Sequence, residues 1–409
     1  MIPFSKYLNL FKLFIILLVN FGCSEKRDFL INKCLQPNTN NILIKTVSSN
    51  LIVNDTLPTF YTQAKSFMDK YLIGRVGNNN EIHIWNISNN KVEKVISIDK
   101  YLIPNFTNFY VHNLDSIFIT QDPYSISLIN GKGSVVNKWK LNDIPINWSV
   151  SKTAPKVPLY YFDNVLGNID FYDKKTGNLH LTINPTDVFF FDNRKDFKLN
   201  YVYNIISKKY VCSFGEFPEA YYFDKKQRSI YLDFLIPPFS VVVGDSTYLG
   251  YPISHEVSIY NNKTGRLINK KCISSINIKT LPLPIKEYSD FEVQKEFLIT
   301  SPSYGSIKYH KKIELFSRVV MHSMPYKNKL GKTSKPSERK ISVIIFDKNL
   351  NQLYEYKIPD NSNAFNFGDP NIPFLSIALS DGFLGSKKLE SIKNESEFRH
   401  SVIFKIIKK

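Results

Sequence analysis

The side chains that could perform chemistry are few and scattered in this sequence. Its seven histidines stand at positions 83, 112, 180, 255, 310, 322 and 400, one to each strand or loop of the predicted structure. The sequence contains no G-x-S-x-G nucleophile turn, no H-E-x-x-H zinc motif and no G-x-x-x-x-G-K-[ST] phosphate loop. We therefore assign no catalytic residue, no metal ligand and no cofactor.

Three basic side chains stand out because apolar residues surround them. Arg75 lies in YLIGRVG, and Arg318 and His322 lie in IELFSRVVMH. One interpretation is that they line a central channel and bind an anionic or sugar ligand. The other is that each pairs with a nearby acid, such as Glu314, or points to solvent.

Two adjacent tyrosines form a second weak candidate for ligand binding. Tyr221 and Tyr222 follow the segment GEFPEA. They could offer an aromatic stacking platform, or they could pack in the core.

The N-terminus predicts export. Lys6 and Lys12 give a positive start, and an apolar run follows over residues 13–19. This run is much shorter than the roughly 20 apolar residues that a transmembrane helix needs. Together these features are typical of a secretory signal.

The residues after the apolar run resemble the lipobox of bacterial lipoproteins, in which a cysteine follows a small residue. Here Cys23 follows Gly22, although Asn20 stands where the family usually has leucine. The resemblance implies a signal peptide over 1–22, lipid on Cys23, a lipidated tether over 23–40 and delivery to the outer membrane. An ordinary signal peptide with an incidental cysteine, or a retained anchor, is the alternative.

The charge of the chain does not predict nucleic-acid binding. The formal net charge is +17, but 45 of the 53 basic residues are lysine and only 8 are arginine. Arginine is the side chain suited to bidentate recognition of phosphate. A basic face toward anionic lipid or polysaccharide is the alternative use of this charge.

The cysteines other than Cys23 do not form a metal motif. Cys34, Cys212 and Cys272 are far apart in the chain, so one disulfide or none is compatible with the sequence. We expect buried free cysteines.

Short alternating segments predict an all-β fold with one repeated hairpin. The strongest copies are FYDKKTGNL (171–179) and IYNNKTGRL (259–267). In each, a strand ends in Asp or Asn and a tight turn follows. The turn-entry residues are Asn86, Asn130, Asp173, Asn261 and Asp347, separated by 44, 43, 88 and 86 residues.

A four-stranded unit of about 44 residues matches a propeller blade. We therefore predict a β-propeller of four-stranded antiparallel blades over 41–409. Two further positions resemble the start of a turn: Asp224 lies within the 88-residue interval and His310 within the 86-residue interval. The resulting seven positions favour seven blades slightly. A β-sandwich with coincidental turns is the alternative.

The hairpin pattern, the stretch HNLDSIFITQDPYSISLINGKGSV (112–135) and the lipoprotein-like start together resemble TolB-like β-propeller lipoproteins, within an uncharacterised Gram-negative family. The resemblance covers most of residues 60–405. It implies a β-propeller of six or seven blades and a cell-envelope location, and it carries almost no information about chemistry.

Four segments depart from the strand pattern. Helical turns are predicted near 63–70 and 386–394, and the segment 282–294 is predicted to connect two blades. The segment 325–340 carries six basic residues and one acid, and we predict a solvated loop between two strands.

The predicted fold and the predicted location of the protein together favour a non-enzymatic binding or scaffolding module for a protein or glycan partner at the cell envelope. The alternative is a glycan hydrolase or lyase on the same scaffold. A weaker third interpretation is a sensor that feeds a membrane signalling protein.

Overall fold

The computed structural model describes most of the chain from residue 42 onward. The described residues are 42–53, 65–75, 80–89, 91–104, 106–121, 125–141, 143–145, 165–184, 198–218, 221, 229–230, 238–279, 281–282, 285–286, 290–334, 338–359, 362–363, 377–388 and 399–409. The predicted signal peptide, Cys23 and the predicted tether lie outside them.

Six antiparallel sheets follow one another along the chain. Blade 1 contains β2–β5, at Lys65–Phe67, Tyr71–Arg75, Glu81–Asn86 and Lys91–Ser97. Blade 2 contains β6–β9, at Phe106–Asn113, Ser116–Gln121, Ser125–Ile129 and Val135–Lys140. Blade 3 contains β10–β13, at Val165–Asp173, Asn178–Asn184, Asn200–Asn204 and Lys209–Phe214.

The second half of the chain repeats this arrangement. Blade 4 contains β15–β18, at Phe239–Val243, Ser246–Gly250, Glu256–Asn261 and Leu267–Cys272. Blade 5 contains β20–β23, at Ser303–His310, Leu315–Met321, Ile341–Phe346 and Gln352–Lys357. A two-stranded ribbon pairs β14 (Ser229–Ile230) with β19 (Ile285–Lys286).

Blade 6 closes the ring by combining both ends of the described chain. It contains β24–β27, at Ser362–Asn363, Ile377–Leu379, Gly382–Lys388 and Arg399–Lys408, and its outer strand is β1 (Ile42–Val53). β1 pairs with β27 from Ile42 opposite Lys408 to Val53 opposite Arg399. The molecule is therefore a six-bladed β-propeller, which confirms the predicted fold and corrects the preference for seven blades.

Burial changes with distance from the propeller axis. The outermost strands β5 and β9 are mainly exposed, whereas the middle strands β7 and β22 are buried on both faces. Each blade packs its two faces against its neighbours, so that the side chains of Ile82 and Ile84 share one cluster with Ile117 and Ile119 of the next blade. This sandwiching explains why central strands lack a polar face.

The predicted turn chemistry is present, but its spacing is not regular. The side-chain oxygens of Asn86, Asn130, Asn261 and Asp347 each accept a hydrogen bond from the backbone N–H two residues ahead, and all four residues join the third and fourth strands of a blade. The equivalent residue of blade 3 is Asn204.

Asp173 instead joins the first and second strands of blade 3, and His310 has the same place in blade 5. The even spacing of about 44 residues therefore mixed two kinds of hairpin, and Asp224, another of the seven positions, lies outside the described residues.

The predicted helical turns are wrong where the structure describes them. Residues 65–67 form β2 and residues 386–388 end β26. The helix of the described residues is α1 (Phe291–Thr300), which lies between β19 and β20. Asp290 caps it by accepting from the backbone N–H of Val293 at 2.9 Å, a favourable N-terminal contact. Residues 282–294 thus connect two blades, as predicted.

The cysteines differ from the expectation that all three are free. Cys272, the last residue of β18, is disulfide-bonded, and Cys212 is a free thiol. The pairing escaped prediction because sequence spacing does not report which cysteines a fold brings together. Within the described ranges, no helix is long and apolar enough to span a bilayer.

Candidate ligand-binding channel

The propeller axis is lined by the first strand of each blade. These strands are β2, β6, β10, β15, β20 and β25, and adjacent members of the ring contact one another. Their described residues include two lysines, Lys65 and Lys308, and two aspartates, Asp170 and Asp173. Asp173 is engaged in its own turn through Thr176, so three charged side chains remain for the channel.

Lys65, Asp170 and Lys308 come from alternate blades, 1, 3 and 5. Lys65 and Lys308 stand three residues, and Asp170 four residues, before the turn that ends their strands. The first strands of the blades run in the same direction, so similar positions relative to the turn place the three side chains at a similar depth. The fold therefore brings together residues that are separated by more than 100 positions in the chain.

The three charges interact without forming a closed ion pair. The carboxylate of Asp170 acts electrostatically on both ammonium groups, and Lys65 and Lys308 repel each other. The ammonium of Lys65 donates to the backbone carbonyl of Phe109 in blade 2. Among the described residues, the ammonium of Lys308 has no hydrogen-bonding or ion-pair partner.

Burial shifts all three groups toward their neutral forms. Desolvation lowers the pKa of Lys65 to about 8 and also lowers the pKa of Lys308. Desolvation raises the pKa of Asp170 to about 6. The three side chains are only half-buried, which is typical of groups that line a narrow passage reached by some solvent.

Hydroxyl groups stabilise the carboxylate side of the channel. Thr182 Oγ1 donates to Asp170 Oδ2 at 2.6 Å and lies 3.1 Å from Ser240 Oγ of blade 4. Hydrogen bonds from Thr182 and Ser240 oppose the desolvation of Asp170, so they favour its ionised form. Asp170 is thus held in place, while Lys308 is left available.

With two ammonium groups and one carboxylate, this site has an excess of positive charge. It suits an anionic group that Lys65 and Lys308 can approach from two sides, with Asp170 and the two hydroxyls available to a hydroxyl or amine beside it. No cluster of three or more metal-ligating side chains occurs among the described residues.

Known proteins match this chain in fold but not in sequence. No protein-family model matches it, and no curated protein matches it. A member of the DUF4221 family from Bacteroides vulgatus has a TM-score of 0.60 at 14% identity, covering 91% of this chain and 100% of that one.

The chain has the fold of that Bacteroides protein. A candidate exported protein from Bacteroides fragilis is more distant, with a TM-score of 0.47 at 12% identity, covering 92% of this chain and 98% of that one. At 14% identity the similarity to the Bacteroides vulgatus protein shows the fold alone and says nothing about ligands. Whether the chain is a TolB-like lipoprotein stays a prediction.

Arg318, a predicted ligand-binding residue, lies in the interface between blades 4 and 5. It is fully buried, and its four Nη hydrogens go to the backbone carbonyls of Tyr251, Ser254, His255 and Ile273 at 2.7–3.1 Å. Its guanidinium also stacks on the ring of Tyr304 at 3.8 Å. This environment is structural, and Glu314 takes no part in it; burial lowers the pKa of Arg318 to about 10.

Arg75 lies on the second strand of blade 1 and reaches across to blade 2. Its Nη1 donates to the carbonyl of Phe106, and its guanidinium lies 4.7 Å from the centre of the Phe106 ring. Burial lowers its pKa. Like Arg318, it holds neighbouring blades together, and the structure does not bring these two arginines into one site.

His322 and Tyr221 also lie apart from the three charges of the channel. His322 follows β21 and bonds to Ser342 Oγ at 2.9 Å. Tyr221 is fully buried, and its hydroxyl accepts from the backbone N–H of Ile253 at 3.1 Å. Tyr222 lies outside the described residues. Ligand binding by these side chains stays a prediction.

Sequence reasoning missed the three charged residues of the channel. A usable signal was present, because Asp170 stands between Ile169 and Phe171, and Lys308 between Ile307 and Tyr309. A charged residue inside an apolar strand is costly unless it has a partner or a function. The sequence could not show that these residues meet.

Proposed function

We propose that this protein is a cell-envelope lipoprotein whose propeller is a non-enzymatic binding module, and that its central channel binds an anionic group of a glycan or protein partner. The observation that supports this most strongly is the unpaired ammonium of Lys308 beside Lys65. An ammonium that is withdrawn from water without a partner is unfavourable, and a bound anion would remove that cost.

The proposed location in the cell envelope rests on the N-terminal leader and on the cysteines. Lys6, Lys12 and the apolar run before Cys23 form a secretory signal with a lipobox-like end. The disulfide of Cys272 supports the same location, because disulfides persist in exported proteins and are rare in the cytosol. Two acyl chains anchor a protein in a membrane far more stably than one, since each buried CH₂ contributes about 0.8 kcal/mol to the free energy of membrane binding.

Fractionation tests the anchor. The Cys23→Ala variant should leave the membrane fraction, whereas a Cys212→Ala variant, which changes the free thiol, should stay in it. A Cys23→Ala protein that fractionates like the wild type contradicts the lipid assignment.

Calorimetry tests the channel. Glucuronate and inorganic phosphate are suitable probes, with neutral glucose as the uncharged control. We expect millimolar or tighter binding of at least one anion, no binding of glucose, and a loss of tenfold or more in affinity for Lys308→Gln, equal to about 1.4 kcal/mol. Lys132→Gln, a change at an exposed lysine in a blade 2 turn, should bind like the wild type.

If the wild type binds neither anion, or if Lys308→Gln binds as well as the wild type, the channel is not the binding site. The anchor would be unaffected by that result, because it rests on other residues.

The enzyme alternative has weaker support. Most glycoside hydrolases use two carboxyl groups about 5–9 Å apart. On the described first strands the carboxylates are Asp170 and Asp173, and Asp173 is engaged in its turn. The remaining form of the enzyme alternative is a lyase that uses Lys65 as a base. It predicts that the protein releases unsaturated products from a polyuronate, which ultraviolet absorbance would measure.

A further inference from the structure

One face of the propeller carries a basic hairpin with an exposed apolar tip. Successive strands of a blade are antiparallel, so connections from strand two to strand three, and from one blade to the next, lie on the same face. The segment 322–340 of blade 5 is of the first kind, and α1 is in a connection of the second kind. Both therefore lie on this face, which we name the connecting face.

The hairpin, residues 325–334, is ordered by its own hydrogen bonds. Asn328 Oδ1 accepts from the backbone N–H groups of Leu330 and Lys332 at 2.9 and 3.1 Å, and Gly331 N–H donates to the carbonyl of Asn328 at 2.9 Å. Gly331 has a φ of +74°, which favours glycine at the turn. Ser334 N–H donates to the carbonyl of Tyr326 and closes the base.

This ordered turn presents an apolar side chain to solvent. Leu330 is 81% exposed at the tip, and Phe291, at the start of α1, is 74% exposed. Tyr326 joins the two elements, since its hydroxyl donates to the carboxylate of Glu292. The ordered turn keeps the Leu330 side chain exposed and available to contact another surface.

The charge around Leu330 indicates what that surface is. Lys327, Lys329 and Lys332 are exposed on the same hairpin. We propose that the hairpin docks on an anionic lipid bilayer, with Leu330 entering the interface and the lysines contacting the headgroups. Lysine ammonium groups suit headgroup phosphates, which have no fixed arrangement, and an apolar tip with basic flanks is the combination that interfacial segments use.

Acidic residues near the base of the hairpin do not oppose this. Asp290, Glu292 and Glu296 act on Tyr326, and Lys295 lies 3.6 Å from Glu292 and partly neutralises it. The four lysines Lys295, Lys327, Lys329 and Lys332 outnumber these three acids, so the hairpin and its base keep an excess of positive charge.

Docking through this hairpin goes beyond the proposed channel function and does not require lipid on Cys23. The test uses the chain from residue 24 onward, which contains every described strand, with vesicles of phosphatidylcholine alone or mixed with phosphatidylglycerol. We expect co-sedimentation with the mixed vesicles only, weakening as salt is raised. Replacing Lys327, Lys329 and Lys332 by Gln should reduce affinity on the order of a hundredfold, at about 1 kcal/mol per lysine.

The control replaces three exposed lysines in turns on the opposite face, Lys132, Lys174 and Lys175, by Gln. It has the same net charge as the hairpin variant and should bind much more tightly. Leu330→Ser should also weaken binding while leaving the fold intact, because the side chain has almost no contacts. Equal binding to both vesicle types, equal losses in both triple variants, or no binding by the wild type would each overturn the proposal.

Discussion

Two cations on neighbouring strands of blade 5, the buried Arg318 and the half-buried Lys308, have opposite environments. Arg318 on β21 lies opposite Ile307 of β20, and Lys308, the next residue, lies opposite Ser317. The Nη hydrogens of Arg318 are all taken up by carbonyls of blade 4, whereas the ammonium of Lys308 has no such partner among the described residues. The comparison teaches that burial alone does not identify a functional charge, because a buried cation whose four Nη hydrogens bond to the protein contributes to structure.

The largest expected effect follows from removing Arg318. Arg318→Ala takes the guanidinium donors from four carbonyls, of which that of His255 still accepts from the backbone N–H of Ile273, and removes the stacking on Tyr304, so the free energy of unfolding should fall by about 3–5 kcal/mol. Denaturant unfolding measures this, with the exposed Arg266→Ala as the matched control. A loss below about 1 kcal/mol would show that the carbonyls find other partners, and the contrast with Lys308 would fail.

A smaller effect is expected from pH. Because burial lowers the pKa of Lys65 from 10.5 to about 8, the unfolded chain binds more protons than the folded one between these values, and stability should rise with pH there. The difference in unfolding free energy between wild type and Lys65→Met should change by about 1–2 kcal/mol across this window, after allowance for solvent screening.

Asp170 should give the opposite slope. Burial raises its pKa from 3.8 to about 6, so stability should fall as pH rises between these values, and Asp170→Asn should remove that dependence. Flat difference curves for both variants would mean that the channel charges are fully hydrated.

The smallest effect is a gain. Lys308→Met keeps the length of the side chain and removes an unpaired ammonium, so stability should increase by about 1 kcal/mol while anion binding is lost. A destabilised Lys308→Met variant would show that the ammonium supports the fold, and the distinction between the two cations would then disappear.

Local chemistry accounts for what could be predicted. The Asx turns at Asn86, Asn130 and Asn261 were recognisable because a side chain two residues from its backbone partner makes the turn by itself. The blade number was harder, since Asp173 has the same local chemistry in a different kind of hairpin. Helix α1 was missed because its sequence has no strong apolar stripe and follows a segment with two prolines.

Sequence by itself determined the hairpins, the strand composition and hence the propeller class, because these depend on residues within a few positions of one another. Only the tertiary structure decided that six blades close through β1 and β27, and that Arg318 belongs to a blade interface. It also decided that Lys65, Asp170 and Lys308 share one channel. The physical reason is that an electrostatic or hydrogen-bonded site depends on distance in space, and ring closure joins residues that the chain keeps far apart.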